Sequence, residues 1–180
     1  MKFANPRLPV LFISHGGGPW PYVEEMRRLY GQTEVTLRGL PGRLHARPKA
    51  VLVISGHWEA PKFSVATSAR PPMEYDYSGF PPHTYEIRYR APGDPKLAEH
   101  ARRLLAGAGI EVTSDSDRGF DHGVFVPLGL MYPQADMPIL MVSVKLGYDP
   151  MQHLALGRSL APLRDSASRV ELSRPNPLML

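Results

Sequence analysis

Short apolar runs, each followed by a polar or glycine-containing turn, recur along the chain and predict buried strands. The three clearest runs are residues 8–14 (LPVLFIS), 50–55 (AVLVIS) and 138–144 (PILMVSV). Runs of about four to eight apolar residues are typical of strands that a sheet buries on both faces. A shorter run at residues 63–67 predicts one further strand.

Between these runs, leucine and alanine recur at helical spacing. The pair Asp94–Pro95 is typical of a helix start, and the helical pattern continues to Gly107. Asp149–Pro150 predicts a second helix in the same way, with Pro162 near its end. A weaker pattern predicts a helix over residues 22–30. Because strands and helices alternate, we predict an α/β fold, a layered domain whose central sheet is mostly parallel or mixed and is flanked by helices.

Composition limits the classes of protein to which the chain can belong. Its 180 residues match the length of one domain, so we expect residues 1–180 to form a single unit. Cysteine is absent, which excludes disulfide frameworks, thiolate zinc sites and iron–sulfur clusters. The 21 basic and 17 acidic residues are scattered, so we expect no nucleic-acid partner. Since no apolar run is long enough for a membrane span, we expect no membrane partner and a cytoplasmic location.

Residues 70–92, here called the aromatic segment, combine prolines with tyrosine and phenylalanine in an irregular pattern. Long loops in compact domains are often functional. The segment is either a proline-braced surface loop packed by its own aromatic rings or one wall of a substrate site. Both interpretations remain open from the sequence.

Histidines supply the candidate chemistry, and three of the seven stand out by position. His15 and His57 each follow a predicted interior strand, inside a glycine-containing loop. Ligands of open α/β sheets bind at that edge, so two imidazoles there could begin a metal site. His122 lies between glycines and directly after Asp121, an acid that could orient its ring. Three other histidines are expected on exposed or helical surfaces: His45, His100 and His153. The role of His83, in the aromatic segment, stays open.

Other catalytic signatures fit poorly. Ser14 and Ser55 lie outside the G-x-S-x-G pattern of serine hydrolases. The run Gly16-Gly17-Gly18 has neither the spacing nor the lysine of a phosphate-binding loop. Without cysteine, any metal must be bound through nitrogen and oxygen.

Five ordered motifs together resemble those of a known enzyme family. They are Ser14-His15-Gly16-Gly17-Gly18-Pro19, Ser55-Gly56-His57-Trp58, Tyr77-Ser78-Gly79-Phe80-Pro81, Tyr89-Arg90-Ala91-Pro92-Gly93 and Gly119-Phe120-Asp121-His122-Gly123. The same order occurs in the class III extradiol ring-cleaving dioxygenases. Within that family the chain resembles the DOPA-dioxygenase type, over about residues 8–165.

The resemblance implies a mononuclear non-haem metal centre at the sheet edge. Its cofactor would be one divalent ion, Fe(II) or Zn(II), since histidine and oxygen ligands suit both. The substrates would be O₂ and a small aromatic diol of the catechol type, DOPA or a related compound. By motif, His15 and His57 would ligate the metal, and His122 would move a proton to or from the substrate. The residues bordering the aromatic ring would be Tyr77, Phe80 and Tyr89.

The resemblance also implies a longer chain. In the family the sequence continues into another strand and further active-site histidines, whereas residues 169–180 (RVELSRPNPLML) contain no histidine. We therefore expect a catalytic-type domain that is truncated at its C-terminal end and has an atypical tail at residues 169–180. Its metal ligands would be incomplete unless His83 or an acid substitutes.

Two other functions remain open. The chain could be a catalytically impaired metal- or ligand-binding remnant of the family, or a metal-dependent hydrolase. A lost terminal strand would also expose an apolar sheet edge, from which we expect self-association into a homo-oligomer.

Overall fold

The regular elements lie within residues 7–166, the part of the chain that this computed structural model describes. The strands are β1 (Val51–Ala60), β2 (Phe63–Ala66), β3 (Val112–Asp115) and β4 (Ile139–Lys145). The helices are α1 (Glu24–Leu29), α2 (Gly31–Gly39), α3 (Pro95–Gly107), α4 (His122–Met131), α5 (Pro150–Leu160) and α6 (Leu163–Ser166). Three 3₁₀ turns lie at Trp20–Tyr22, Pro41–Arg43 and Pro82–Tyr85. The predicted tail at residues 169–180 lies outside the described residues.

The strands form one mixed sheet in the order β1-β4-β2-β3. β1 pairs in parallel with β4, and β2 pairs in parallel with β3, whereas β2 and β4 are antiparallel. In the first pair, Val51 lies opposite Ile139 and Ser55 lies opposite Ser143. Helices pack against this sheet, so the predicted α/β class is confirmed. None of the helices among the described residues has the length and apolarity needed to cross a bilayer.

β4 lies inside the sheet and contributes to two separate cores. Successive side chains of a strand point to opposite faces. Ile139 and Met141 belong to a cluster with α4, whereas Leu140 and Val142 belong to a cluster with α3 and α5. All four side chains are at most 2% exposed. The run at residues 138–144 is therefore confirmed as a strand that is covered on both faces.

The helices α3 and α5 begin where aspartate followed by proline predicted them. The Asp94 side chain accepts a hydrogen bond from the backbone N–H of Leu97 at 2.9 Å. The Asp149 side chain accepts one from Met151 at 2.8 Å. Each cap satisfies a backbone donor that has no partner within its helix. α5 ends just before Pro162, as expected.

The predicted strand at residues 8–14 is wrong. Among the described residues this segment pairs with no strand of the sheet, and Val10 and Phe12 are 78% and 104% exposed. The Leu8 carbonyl accepts hydrogen bonds from the Arg164 guanidinium instead. An apolar run becomes a strand only where another backbone edge offers matching donors and acceptors, and that edge is invisible in a local pattern.

The predicted end of the strand at residues 50–55 is also wrong. β1 continues to Ala60, so the expected loop after Ser55 is part of the strand. Its pairing with β4 is interrupted after Ser55 and resumes at Glu59. Gly56, His57 and Trp58 lie in this interruption, an irregularity that adds residues to one strand without ending the ladder, as a β-bulge does, and is here called the β1 bulge.

Local patterns missed α2, β3 and α4. β3 carries mostly polar, partly exposed residues, and α4 is apolar on all sides after His122 and contains Pro127, so neither shows the expected periodicity. The weak helix predicted over residues 22–30 consists of the first 3₁₀ turn followed by α1.

A buried glutamate of α2 forms an ion pair with an arginine of α1. Glu34 is 8% exposed and accepts hydrogen bonds from Arg27 at 2.7 Å and from Arg38 at 2.9 Å. The hydrogen bond from Arg27 outweighs the opposing effect of burial and lowers the pKa of Glu34 to about 2. α2 also places Leu37 in the same core cluster as Phe125 of α4. The pair α1 and α2 therefore supports α4.

Replacing Phe125 by alanine should destabilise the fold strongly, because the ring is fully buried and its loss leaves a cavity in the α4 core. We expect the free energy of unfolding to fall by about 3–5 kcal/mol. Val35→Ala is the control, since Val35 is 65% exposed and its loss should cost less than about 0.5 kcal/mol. Urea unfolding followed by circular dichroism measures the stability of both variants. Equal urea midpoints for Phe125→Ala and Val35→Ala would contradict the burial of Phe125 in this core.

Glu34→Gln should lower the free energy of unfolding at neutral pH by about 1–2 kcal/mol, a modest effect because both arginines are about half exposed. The folded-state pKa of Glu34 lies below that of the unfolded chain. The stabilisation is therefore complete above the unfolded pKa and disappears as the pH falls toward about 2. Urea midpoints of wild type and variant should converge in acid. A difference that does not change with pH would contradict the ion pair.

Candidate metal centre

Three imidazole rings from distant parts of the chain meet at one place. His15 lies before the first 3₁₀ turn, His57 lies in the β1 bulge, and His122 begins α4. The centre of the His15 ring is 4.9 Å from those of both other rings, and the His57 and His122 centres are 4.1 Å apart. The Nε2 atoms of His15 and His57 are 3.0 Å apart. The structure thus brings together the three histidines that the sequence singled out.

A tight turn directs His15 toward the other rings. Gly16 has a φ of 77°, in the left-handed region that favours glycine. A Cβ atom at Gly16 would lie 2.5 Å from the indole nitrogen of Trp20. That nitrogen donates a hydrogen bond to the His15 carbonyl oxygen, and the Trp20 side chain is fully buried. Trp20 therefore anchors the turn, and glycine permits its close approach.

The bulge in β1 presents His57. The Ser55 hydroxyl accepts a hydrogen bond from the backbone N–H of His57 at 3.2 Å and donates one to Asp121 at 2.9 Å. The His57 side chain remains 34% exposed, whereas Ser55 and Asp121 are buried. Bulges next to active sites often redirect a side chain in this way. A bulge inside the strand, and not a loop beyond its end, therefore positions His57.

The first turn of α4 touches the bulge directly. A Cβ atom on Gly123 would lie 2.9 Å from Cδ2 of His57 and 3.0 Å from both Oγ of Ser55 and Oδ1 of Asp121. A larger side chain would push the helix and the strand apart. The absence of a side chain at this position lets the His57 and His122 rings approach each other.

The prediction that Asp121 orients the His122 ring is wrong. Asp121 is fully buried, and its carboxylate is shared between the Ser55 hydroxyl and an ion pair with Arg118. Arg118 pairs with Glu74 as well, at 2.7 Å. The carboxylate of Asp121 therefore stabilises the contact between strand and helix.

The acid that contacts His122 is Asp76, from the aromatic segment. Its Oδ1 accepts a hydrogen bond from the His122 backbone N–H at 2.9 Å and lies 2.8 Å from Nδ1 of the ring. Its Oδ2 lies 3.3 Å from Nδ1 of His57. Burial alone would raise the pKa of Asp76, but the hydrogen bonds from His122 prevail and lower it. Sequence reasoning missed Asp76 because the contact joins residues 46 positions apart.

His15 is favoured in its neutral form. Burial lowers the pKa of His15, and positive charge on His122 or His57 would lower it further. Its Nδ1 is buried and has no hydrogen-bond partner in the part of the chain that the structure describes. A neutral imidazole keeps one lone pair free for a metal ion.

The three predicted substrate-bordering residues differ in how they lie relative to the histidines. The ring centre of Tyr77 is 5.9 Å from that of His122 and 5.4 Å from that of Phe80. Burial raises the pKa of Tyr77 to about 12, so its phenol is neutral at pH 7. Tyr89 is 6% exposed, and its hydroxyl donates to carbonyls at the far end of α4, roughly 9 Å or more along the helix from His122. Tyr77 therefore lies beside His122 and Phe80 lies beside Tyr77, whereas Tyr89 lies in the core.

His83 does not join the three rings. One of its ring nitrogens lies 2.8 Å from the Tyr22 carbonyl oxygen. Among the described residues, the group that can share one ion consists of His15, His57 and His122. Three further histidines lie elsewhere in the fold: His45, His100 and His153.

The donor set fits a divalent cation. One nitrogen of each of the three rings lies within 4.8 Å of the others. The Nε2 atoms of His15 and His57, 3.0 Å apart, are close enough for both to bind one ion at the usual distance of about 2.1 Å. Imidazole suits iron and zinc alike, so the ligands do not select between them.

Comparison with known proteins agrees with the motifs. The family model described as the catalytic LigB subunit of aromatic ring-opening dioxygenase matches residues 9–172. Dioxygenase tasH of Hapsidospora irregularis is 40% identical over 166 residues, covering 87% of this chain and 50% of that protein. The 4,5-DOPA dioxygenase extradiol of Beta vulgaris is 48% identical over 120 residues, covering 66% of this chain and 45% of that protein. The protein of the same name from Escherichia coli (strain K12) is 38% identical over 163 residues, covering 90% of this chain and 57% of that protein.

A solved structure shares the fold. The crystal structure of an uncharacterized protein from Escherichia coli K12 matches with a TM-score of 0.61 and 35% identity, covering 74% of this chain and 49% of that one. The chain spans about half the length of the curated relatives it matches. Because the family model covers most of the chain, and the motif histidines converge in the fold, the chain belongs to the LigB family of aromatic ring-opening dioxygenases, the class III extradiol enzymes.

Proposed function

We propose that this chain carries the metal and substrate site of an extradiol dioxygenase, which inserts O₂ into a catechol-type ring and opens it. The observation that carries the proposal is the convergence of His15, His57 and His122 in a member of this family. The relatives named 4,5-DOPA dioxygenase extradiol favour DOPA or a related diol as the substrate. The cofactor would be one divalent ion, Fe(II) or Zn(II).

His15 and His57 would hold the ion. Their Nε2 atoms face each other at 3.0 Å, and burial favours the neutral form of His15 by lowering its pKa. When bound, Fe(II) would supply both the Lewis acidity that favours loss of a diol proton and the redox chemistry that O₂ requires, whereas Zn(II) would supply Lewis acidity alone.

His122 would accept the proton that the diol loses on binding. Its Nδ1 is hydrogen-bonded to Asp76, so Nε2 is the nitrogen left free for proton transfer. The neighbouring carboxylate would stabilise the imidazolium that forms, and the same nitrogen can later return the proton to the product. An imidazole suits this role because its ordinary pKa lies near neutrality.

Tyr77 and Phe80 would form the apolar wall against which the aromatic ring binds. Their own rings meet edge to face, with an angle of 80° between the planes. This arrangement is one that aromatic pairs prefer, and it leaves apolar surface for a third ring. Because the Tyr77 phenol stays neutral, it would not compete with the diol for the ion.

Ring opening is measured by loading the protein with Fe(II) under anaerobic conditions and then adding DOPA and O₂. The reaction takes both oxygen atoms of O₂ into the product, so we expect oxygen uptake to match the appearance of a coloured ring-opened compound. Metal and diol binding without oxygen uptake would contradict the catalytic proposal and favour a non-catalytic binding protein of the same family.

His57→Ala should weaken Zn²⁺ binding strongly, because it removes a metal ligand. Loss of a group that only hydrogen-bonds to a ligand costs roughly 10–100-fold in affinity, and we expect a larger effect here. His122→Ala should bind Zn²⁺ more tightly than His57→Ala does, yet lose ring-opening activity with Fe(II). Isothermal calorimetry measures binding, and His100→Ala on α3 is the matched control that should bind as wild type does. Equal binding by wild type and His57→Ala would contradict the ligand assignment. If His57→Ala and His122→Ala lose the same amount of Zn²⁺ affinity, His122 is a third metal ligand instead of a proton carrier.

A further inference from the structure

A single carboxylate contacts two of the three histidines on the side away from their meeting point. Asp76 Oδ1 lies 2.8 Å from Nδ1 of His122, and Oδ2 lies 3.3 Å from Nδ1 of His57. The side chain of Asp76 is 21% exposed, and that of His122 is 8% exposed. The hydrogen bond between Asp76 and His122 is therefore largely shielded from water, where hydrogen bonds gain strength, whereas the contact with His57 is longer and more exposed.

We propose that Asp76 is a positioning residue that accepts the Nδ1–H of both His57 and His122, so that both rings present an unprotonated Nε2 toward His15. Asp76 acts through the two imidazoles and not on the reacting atoms. The inference rests on the proposed function, because a bound ion and a proton transfer are what give this orientation its use.

The chemistry of the two groups dictates which ring nitrogen carries the proton. A carboxylate offers only acceptors, and a neutral imidazole has one N–H and one lone pair. Hydrogen-bonded to Asp76, the His122 ring must donate from Nδ1, which leaves its lone pair on Nε2. The second oxygen of the carboxylate, 3.3 Å from Nδ1 of His57, electrostatically favours a proton on that nitrogen too. The opposite tautomer would aim an N–H at the cation and could neither ligate it nor accept a proton.

The neighbours of Asp76 in sequence hold it in place. The Tyr75 hydroxyl donates to the Ile87 carbonyl at 2.7 Å, and the Tyr77 hydroxyl donates to the Thr84 carbonyl at 2.6 Å. Both carbonyls belong to the second half of the aromatic segment, so the segment is tied across itself on either side of Asp76. This bracing gives the irregular, proline-rich sequence a specific role, which is to fix one carboxylate against two rings.

The other acids close to the site have different partners. Asp121 is bonded to Ser55 and Arg118. Glu74 pairs with Arg118 and not with a ring. Glu74 is therefore a matched control, an acid of the same segment with the same charge that lies two positions from Asp76.

The Asp76→Asn variant keeps one acceptor oxygen of the side chain and replaces the other with a donor. An amide has one acceptor oxygen and one NH₂ donor, so only one of the two rings can still donate to it from Nδ1. The other ring must accept through Nδ1 and carry its proton on Nε2. ¹⁵N NMR of the imidazoles in the metal-free protein, recorded over a series of pH values, distinguishes the two neutral tautomers from each other and from the imidazolium. We expect Nδ1–H on both His57 and His122 in wild type and in Glu74→Gln, and a switch of one ring in Asp76→Asn.

Metal binding gives a second readout. We expect Asp76→Asn to bind Co²⁺ about 10–100-fold more weakly than wild type and to change the visible spectrum of the bound ion. Glu74→Gln should stay within about twofold of wild type, and Asp76→Glu should recover part of the loss because it restores both acceptors. Urea midpoints establish that the variants are folded, and asparagine keeps an acceptor for the His122 backbone N–H.

The outcomes separate the inference from the proposed function. Unchanged tautomers in Asp76→Asn, or Co²⁺ binding equal to that of wild type, would overturn the role of Asp76. The expected tautomer switch in a protein whose wild type binds no Co²⁺ would support the positioning role and reject the proposed metal-dependent function.

Discussion

The contact between the start of α4 and the bulge of β1 is the constraint on which the site depends. Gly123 has no side chain to separate the two elements, and Asp121 joins them through Ser55 and Arg118. An unpaired charge in this buried position would cost several kcal/mol, so the serine and the arginine are required together with the acid. The approach of His57 to His122 is a consequence of this contact.

Around that contact, each site histidine depends on a different kind of local structure. His15 depends on a left-handed glycine and the buried indole of Trp20, His57 on a bulge, and His122 on the first position of a helix. The aromatic segment then supplies Asp76 from outside the sheet. The buried α4 core and the α1–α2 pair support these parts, and one nitrogen of each site histidine lies within 4.8 Å of the others.

The sequence was sufficient for the α/β class, for β4, for α3 and α5, and for the convergence of His15, His57 and His122. The predictions of β4, α3 and α5 rest on local signals, namely apolar runs and proline after aspartate. The convergence of the three histidines followed from the motif resemblance, because, among the described residues, the strand ends expected just before His15 and His57 do not exist. The strand at residues 8–14 failed because strand formation needs a partner edge, and α4 was missed because a wholly apolar helix has no amphipathic period. The positions of Asp76 and Tyr89 could not be predicted, since their partners lie 39 or more positions away.

The most direct measurement is X-ray absorption at the metal edge of the protein loaded with one equivalent of Zn²⁺ or Fe²⁺. Imidazole ligands give a characteristic multiple-scattering pattern from the outer ring atoms. If His15 and His57 hold the ion, the spectrum requires at least two imidazoles near 2.1 Å, about the usual metal–nitrogen distance, and fewer in His57→Ala. A shell of oxygen atoms alone, unchanged by that substitution, would contradict the metal centre.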